Sequence, residues 1–452
     1  MTKKDTVTIG FMLFALFFGA GNLIYPPQLG TEAGSSYWSA IAGFIITGVG
    51  LPILAVTAIA FVNDDAKALG SRVHPWFGLL FTSLIYLAIG PFFAIPRAAN
   101  VAFETGIKPV IGSAGQGSSA LLIFSIIFFA LVFWISLNPS KIVDRIGQWL
   151  TPILLIAMVA LSIASFLTFD APMQQPTGDY SSTPFFSGFL NGYLTMDAIA
   201  GLAFGIIVVT ALKERGVTDR KTTIKQTIKA GSVTAIGLIV VYGSIGWMGA
   251  KMASMGSYNN GGEILADGAN ILFGSFGGLL LGTIVALACF TTCIGLTVAC
   301  SQFFSNTFKS VKYTHVAIVF TLISFGFTNM GLSQIIAYSV PALVFIYPLA
   351  IVLIALSFFH RLFNGSKHVY RGALILTSVI AIYDGLKAFL GAEKVKAFTN
   401  ALDFLPLFAE GLGWVVPAAV GALIGGIIEI FAVSAKKKRN VTIQDASYKA
   451  SS

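Results

Sequence analysis

Charged side chains are scarce in this chain. Asp, Glu, Lys and Arg make up 10% of the 452 residues, against 56% hydrophobic residues and a mean hydropathy of +0.84. This balance excludes a soluble globular protein, in which about 25% of residues are charged. It indicates a polytopic membrane protein. The net charge of +9 does not indicate a nucleic-acid partner, because the basic residues follow the loops between apolar segments.

Residues that bind metals or form disulfides are also few. The three cysteines, Cys289, Cys293 and Cys300, share one apolar segment that has no histidine or carboxylate among them. They imply no disulfide framework, and small-residue packing is the favoured role over metal ligation. The four histidines fall at the predicted cytoplasmic ends of apolar segments, so a proton relay through histidine is not expected.

Nucleotide-binding signatures are missing as well. Residues 112–119 have the glycine spacing of a phosphate-binding loop but lack its lysine, so we expect no ATP as a partner. A channel would need a continuous polar stripe, and an intramembrane enzyme would need an acid, base or metal cluster at depth. Neither pattern is visible along the apolar segments. We therefore expect no enzyme activity and no cofactor beyond a coupling ion.

What is abundant is long apolar runs, and a run of about 20 residues can cross a bilayer as a helix. The N-terminal run is too long for a signal peptide and is interrupted by Asn22, so it is assigned as the first span. We predict an all-α membrane protein, with one transmembrane domain over residues 1–452. Its twelve segments are 7–29, 38–62, 76–104, 119–137, 149–169, 186–212, 228–250, 276–306, 314–328, 332–359, 369–390 and 410–433.

The orientation follows from lysine and arginine, which concentrate in cytoplasmic loops. With twelve spans and a cytoplasmic N-terminus, 22 of the 28 basic residues lie inside, 5 lie outside and Arg97 lies within a span. Both termini are therefore predicted to be cytoplasmic. The basic segment 213–229 is predicted to form a short surface helix, and 256–275 a short outer helix between glycines that could act as a lid.

The first predicted span contains a helix-breaking stretch. Gly19 and Gly21 are followed by Asn22 and then by Pro26 and Pro27. Glycine costs a helix about 1 kcal/mol relative to alanine, and proline removes a backbone donor. In hydrocarbon, broken backbone is tolerated only where it is buried in protein or lines a cavity. The break therefore indicates a binding site, with a glycine kink for tight helix packing as the alternative.

The sixth predicted span has a second interrupted stretch, residues 193–201, which contains Asp197. A charge at membrane depth costs about 2.5–3.5 kcal/mol or more, so this carboxylate should face a substrate, an ion or a partner. Two alternatives stay open: an ion pair with Arg97 and a protonated Asp197. Interrupted spans one and six predict a five-plus-five inverted repeat over about 7–169 and 186–359, followed by two helices over about 369–433.

Broken helices expose N–H groups at one half-helix end and C=O groups at the other. The first attract a carboxylate and the second a cation, which together suit a zwitterionic amino acid with a co-bound cation. In the eighth span, Thr291 and Thr292 could supply hard oxygen ligands to an alkali cation. The alternative is that both hydroxyls bond back to carbonyls of their own helix.

Three stretches together resemble a known family: residues 19–27 (GAGNLIYPP), 89–97 (IGPFFAIPR) and 193–198 (YLTMDA). They look like the bacterial branched-chain amino acid:cation symporters, the BrnQ or LIVCS family, and the resemblance covers essentially the whole chain. It implies the leucine-transporter fold, with ten core helices plus two. It also implies sodium-coupled uptake of leucine, isoleucine and valine across the bacterial plasma membrane.

The resemblance also implies site residues. The predicted substrate site consists of Gly19, Ala20, Gly21, Asn22, Phe92, Tyr193, Asp197, Ala198 and Ile199. The predicted sodium ligands are the carbonyls of Ala15, Phe18 and Ala288 and the hydroxyls of Thr291 and Thr292. A second sodium is predicted at Asn22 and Thr195. Asp197 departs from the leucine transporter, where a serine stands near this position. The alternative function is proton-coupled transport of another small neutral amino acid.

Overall fold

The computed structural model describes residues 2–62, 65–112, 115, 117–137 and 141–432. Part of the glycine-rich segment 112–119, the last residue of the twelfth predicted segment and the C-terminal basic residues 436–439 lie outside this part of the chain. All regular elements within the described residues are helices.

The helices follow the predicted order of apolar segments. Those of the first half are α1 (Lys3–Phe17), α2 (Ala20–Ala33), α3 (Tyr37–Ile45), α4 (Leu51–Val62), α5 (Ala66–Ser71), α6 (Pro75–Leu87), α7 (Ala94–Ala102), α8 (Lys108–Ile111), α9 (Ser118–Leu137) and α10 (Lys141–Thr168). Those of the second half are α11 (Pro184–Asn191), α12 (Asp197–Glu214), α13 (Arg220–Met252), α14 (Gly261–Thr307), α15 (Tyr313–Thr328), α16 (Leu332–Phe358), α17 (Lys367–Leu390), α18 (Lys396–Leu402) and α19 (Val415–Ala432).

Eight described helical stretches are long and apolar enough to cross a membrane, and α11 with α12 forms a further span bent by 45°. Two shorter apolar helices, Pro152–Thr168 and Tyr313–Thr328, match the fifth and ninth predicted segments. Helices α1 and α2 overlap the first predicted segment, and α3 and α4 overlap the second. The all-α architecture with twelve spans and broken spans one and six is therefore confirmed.

The predictions for the two loops had different outcomes. A helical stretch begins at Gly261, and the non-helical Gly274 (φ 68°, ψ −177°) separates it from the eighth span, so the short helix between glycines is confirmed, while its place on the outer side stays a prediction. The separate surface helix over 213–229 is wrong, because α13 continues without interruption from Arg220 to Met252. Asp219 starts α13 by accepting a hydrogen bond from the Thr222 amide at 2.8 Å. That bond holds the pKa of the Asp219 carboxyl below its usual value.

The chain divides into two compact units. The larger unit comprises residues 1–65 and 82–343. In it α2 packs on α13, α12 on α4, and α14 on α7. Glycines allow the α2–α13 backbones to touch: a Cβ at Gly30 would collide with the Gly246 carbonyl, and one at Gly249 with the Pro27 carbonyl. Close backbone contact through small residues is how helices associate in membranes.

The smaller unit comprises residues 66–81 and 344–452. Arg72 donates to the Tyr370 hydroxyl at 3.0 Å, and Arg371 Nε donates to the Val73 carbonyl at 3.0 Å. Gly372 on α17 is in backbone contact with Gly421 on α19. None of the predicted substrate or sodium ligands belongs to this unit, so the candidate site lies within the larger one.

Candidate substrate and cation site

The first predicted break is confirmed. Helix α1 ends at Phe17, Gly19 is extended (φ −125°, ψ −165°), and α2 begins at Ala20. The Gly19 N–H donates to Asn22 Oδ1 at 3.0 Å instead of to the Ala15 carbonyl four residues earlier. The last carbonyls of α1 and the first amides of α2 therefore have no hydrogen-bond partner within their own helix. The carbonyls carry partial negative charge and the amides partial positive charge, and both face the break.

The second break lies in the sixth span. A short 3₁₀ turn, Gly192–Thr195, ends at Met196, whose backbone is left-handed (φ 67°, ψ 6°), and α12 begins at Asp197. A non-glycine residue in this conformation is strained and is often found at functional sites. The carbonyls of Leu194 and Thr195 lie at the end of the turn, where a helix has no backbone donors to offer them.

A hydrogen-bonded cluster joins the two breaks. Asn22 Nδ2 donates to Asp197 Oδ2 at 2.5 Å, and the Tyr242 hydroxyl donates to the same oxygen at 3.2 Å. Asn22 also contacts the Tyr242 hydroxyl. Asn22 and Asp197 are only 1% and 3% exposed. The structure thus brings together two predicted substrate residues from spans one and six.

Sequence reasoning missed Tyr242, which lies on α13 in the seventh span. Its signal was present: a tyrosine in the middle of an apolar helix needs a partner for its hydroxyl. The partner lies 45 residues away along the chain at Asp197, so the pairing itself could not be predicted from local pattern.

The alternative ion pair between Arg97 and Asp197 is not formed. The ion pairs of the described side chains include those of Lys108 with Glu104 and Glu263, and none joins Arg97 to Asp197. Arg97 instead donates to the Leu194 carbonyl at 2.5 Å and to the Thr195 carbonyl at 3.2 Å. The guanidinium therefore binds the backbone of the second break rather than the carboxylate beside it.

Gly21 explains how Arg97 reaches this position. A Cβ on Gly21 would lie 2.6 Å from Arg97 Nη2 and 3.2 Å from the Thr195 carbonyl oxygen. A side chain larger than hydrogen at this position would push the guanidinium away from its hydrogen-bond partners. The second glycine of the first break thus leaves the space that Arg97 fills between the two broken spans.

One of the predicted sodium ligands of the eighth span, Thr292, lies beside the first break. A Cβ on Gly19 would lie 3.8 Å from Thr292 Cγ2. Thr291 and Thr292 both donate to the Ala288 carbonyl at 2.9 Å. Both hydroxyls therefore bond back to a carbonyl of their own helix, as the alternative interpretation predicted. Each hydroxyl oxygen still has lone pairs for a cation. Back-bonding and cation ligation are thus compatible in this geometry.

The remaining predicted substrate residues, which are aromatic or apolar, have other surroundings than Asn22 and Asp197. Tyr193 packs on Phe189 with ring centroids 5.7 Å apart, and Ala198 and Ile199 are fully buried at the start of α12. Phe92 packs on Phe327, with ring centroids 5.6 Å apart. No ring contact or hydrogen bond of the described residues links Phe92 to the two breaks. Its role as a pocket wall stays a prediction.

Solved structures support the fold assignment. A nucleobase-cation-symport-1 family transporter, in a closed conformation with bromovinylhydantoin bound, matches with a TM-score of 0.63, covering 95% of this chain and 93% of that chain at 15% identity. MhsT in complex with L-phenylalanine matches with a TM-score of 0.56, covering 86% and 98% at 16% identity. At such identities the likeness concerns the fold, which is that of the leucine transporter.

Three curated relatives match over nearly their whole length. Branched-chain amino acid permease BraB of Bacillus subtilis (strain 168) is 45% identical over 97% of this chain and 98% of its own, and BrnQ of the same strain is 46% identical over 95% and 99%. The branched-chain amino acid transport system 2 carrier protein of Pseudomonas aeruginosa (strain PAO1) is 41% identical over 94% and 96%. These relatives are permeases and carriers, so the prediction that this protein is not an enzyme is confirmed.

The family model described as branched-chain amino acid transport protein matches residues 2–432. The three motifs, the two broken spans and the relatives at 41–46% identity agree with this match. The chain belongs to the family of branched-chain amino acid transport proteins.

Proposed function

We propose that this protein is a symporter that imports leucine, isoleucine and valine with sodium, by alternating access, across the bacterial plasma membrane. The observation that carries the proposal is the buried Asp197 carboxylate, held between two broken spans by Asn22 and Tyr242. The names of the relatives support the substrate class. The bias of basic residues toward one side supports cytoplasmic termini.

The site offers a complementary group to each end of a zwitterion. The free amides at the start of α2, at Ala20 and Gly21, and the positive end of that helix suit the substrate carboxylate. An ionised carboxylate has about four acceptor positions, and Asn22 and Tyr242 use two on Asp197. The substrate ammonium takes another. Ala198, Ile199, Tyr193 and Phe92 are the proposed apolar surroundings of the side chain.

Sodium is proposed to bind between the first and eighth spans. The carbonyls of Ala15, Phe18 and Ala288 and the hydroxyls of Thr291 and Thr292 supply five oxygens, the ligand type that a hard cation prefers. The support is that Thr292 lies close to Gly19 and that the Gly19 N–H donates to Asn22 instead of to the Ala15 carbonyl. The predicted second sodium at Asn22 and Thr195 would compete with Arg97 for the Thr195 carbonyl.

One observation favours proton coupling as a second candidate. Asp197 is a buried carboxylate at membrane depth with two hydrogen-bond donors on one oxygen. Such intramembrane carboxylates serve as proton carriers in other transporters. In that case Asp197 would release and rebind a proton in each cycle, and the substrate would be a small neutral amino acid.

Uptake of radiolabelled leucine into proteoliposomes distinguishes the two. With a sodium gradient and no pH gradient, we expect concentrative uptake. One sodium falling through 100 mV supplies about 2.3 kcal/mol, which supports roughly 40-fold accumulation at 1.4 kcal/mol per tenfold. The same potential with potassium in place of sodium is the control. Uptake driven by a pH gradient and indifferent to sodium would favour the proton carrier.

A further inference from the structure

The carbonyl end of the second break already holds a cation. The Leu194 and Thr195 carbonyls, left over at the end of the 3₁₀ turn, accept hydrogen bonds from Nη1 and Nη2 of Arg97 at 2.5 and 3.2 Å. The C-terminal end of a helical segment carries partial negative charge and favours positive groups. This is the place where a broken span would otherwise offer its oxygens to a coupling ion.

Arg97 is fixed there from several sides. Its side chain is 3% exposed, its Nη1 donates to the Tyr25 hydroxyl at 3.2 Å, and its Cζ lies 5.3 Å from the centroid of the Tyr25 ring. Gly21 provides the space for its Nη2. A planar guanidinium presents its donors in a fixed fork, so one side chain binds both carbonyls and the Tyr25 hydroxyl.

We infer that Arg97 is the resident cation of the second break, in the place of a second coupling sodium, so that each transport cycle carries one sodium. The inference rests on the proposed sodium symport. It makes Arg97 a positioning residue, which holds the unwound backbone of span six in shape while remaining part of the protein. The Thr195 carbonyl is then not available to a mobile ion.

The charge balance of the site agrees with this assignment. Arg97 and an ionised Asp197 lie in the same buried region and compensate each other without direct contact. A zwitterionic substrate adds no net charge, and one sodium at the first and eighth spans adds a single positive charge. A second mobile sodium at Asn22 and Thr195 would place a second positive charge beside Arg97, on a carbonyl that already accepts from it, which is unfavourable at low dielectric.

The stoichiometry of the wild-type protein tests the inference. In proteoliposomes, we expect the reversal potential of leucine flux to correspond to one sodium per leucine, with a Hill coefficient for sodium of about 1. Two sodium ions per leucine would overturn the inference while leaving sodium symport in place. Leucine flux that ignores sodium would instead refute the proposed function and, with it, this inference.

Two variants separate charge from shape in purified protein. We expect Arg97→Lys to bind radiolabelled leucine with weakened affinity and an unchanged sodium Hill coefficient. Arg97→Gln should bind leucine with at least tenfold weaker affinity. Alternatively, a second sodium binds at the carbonyls that Arg97 occupied, and the sodium Hill coefficient rises to about 2. Both are compared with wild type by size-exclusion profile. The inference fails if Arg97→Gln keeps wild-type affinity and sodium dependence, or if Arg97→Lys is as impaired as Arg97→Gln.

Discussion

At the scale of single residues, the site depends on which partner each buried polar group binds. Asp197 and Arg97 are an acid and a base at the same break, yet Asp197 accepts hydrogen bonds from Asn22 and Tyr242, while Arg97 donates to backbone carbonyls. A direct ion pair with Arg97 would have occupied the acceptor positions of the Asp197 carboxylate. Because Arg97 binds backbone carbonyls instead, Asp197 keeps acceptor positions for an ammonium group.

Replacing Asp197 by asparagine tests this role. Asp197→Asn keeps the shape of the side chain and removes its charge, so the substrate ammonium loses its partner. Truncating one member of a buried charge pair costs about 2–5 kcal/mol, which corresponds to about 30-fold weaker leucine binding or more. The measurement is leucine binding to purified protein, together with uptake in proteoliposomes.

The matched control is Asp384→Asn, which removes a carboxylate from α17 in the smaller unit. We expect this variant to transport leucine like wild type. Normal transport by Asp197→Asn would mean that Asp197 has a structural role, and the ammonium would need another partner.

At the scale of elements, function requires helices that are interrupted at defined positions. The Asn22 side chain bonds the Gly19 amide across the first break, and Met196 in the left-handed conformation ends the turn at the second. Helix α14 passes beside the first break, with Thr292 close to Gly19. Sodium at this contact would tie the first span to the eighth.

Threonine-to-valine substitutions test this sodium site. Thr291→Val and Thr292→Val keep the side-chain volume and each remove one oxygen. A hydrogen bond or ligand contact to a charged group is worth about 1.5–3 kcal/mol, so each variant should raise the half-maximal sodium concentration for uptake about tenfold or more. Sodium titrations of leucine uptake measure this directly.

Thr297→Val is the matched control for these variants. Thr297 lies on the same helix, is buried, and bonds back to the Cys293 carbonyl at 2.7 Å in the same manner. We expect its substitution to leave sodium dependence unchanged. If Thr291→Val and Thr292→Val behave like Thr297→Val, the two hydroxyls only bond back to their own helix and the sodium site lies elsewhere.

The sequence predicts features that depend on neighbouring residues, but not contacts between residues far apart along the chain. The twelve spans, both breaks and the helix beginning at Gly261 follow from local signals, namely apolar length, glycine, proline and one buried carboxylate. The pairing of Asn22 with Asp197 spans 175 positions, and that of Arg97 with Thr195 spans 98. Such contacts are set by helix packing, which no local pattern encodes, so the partners of Arg97 and the role of Tyr242 were missed.

At the scale of the whole molecule, charge is kept out of the interior except where the proposed transport uses it. Charged residues are 10% of the chain, and the deeply buried charged side chains of the described residues are Arg97 and Asp197. Both lie at the second break, next to Gly21 and Asn22 of the first. A cargo whose side chain is apolar fits this interior, because a charged side chain would need a partner that the site does not offer.

Competition for uptake tests this consequence. A single methylene in an apolar pocket is worth only about 1–3 kcal/mol, so valine and isoleucine should inhibit uptake of radiolabelled leucine at concentrations within about 10- to 200-fold of that for leucine itself. Lysine and glutamate carry a charged side chain into the same apolar surroundings, and a tenfold excess of either over valine should leave leucine uptake unchanged. N-acetyl-leucine, which keeps the apolar side chain but lacks the ammonium, should also fail to compete, because nothing then meets Asp197. Inhibition by lysine or glutamate without inhibition by valine would reject the apolar pocket and, with it, the assignment of the cargo.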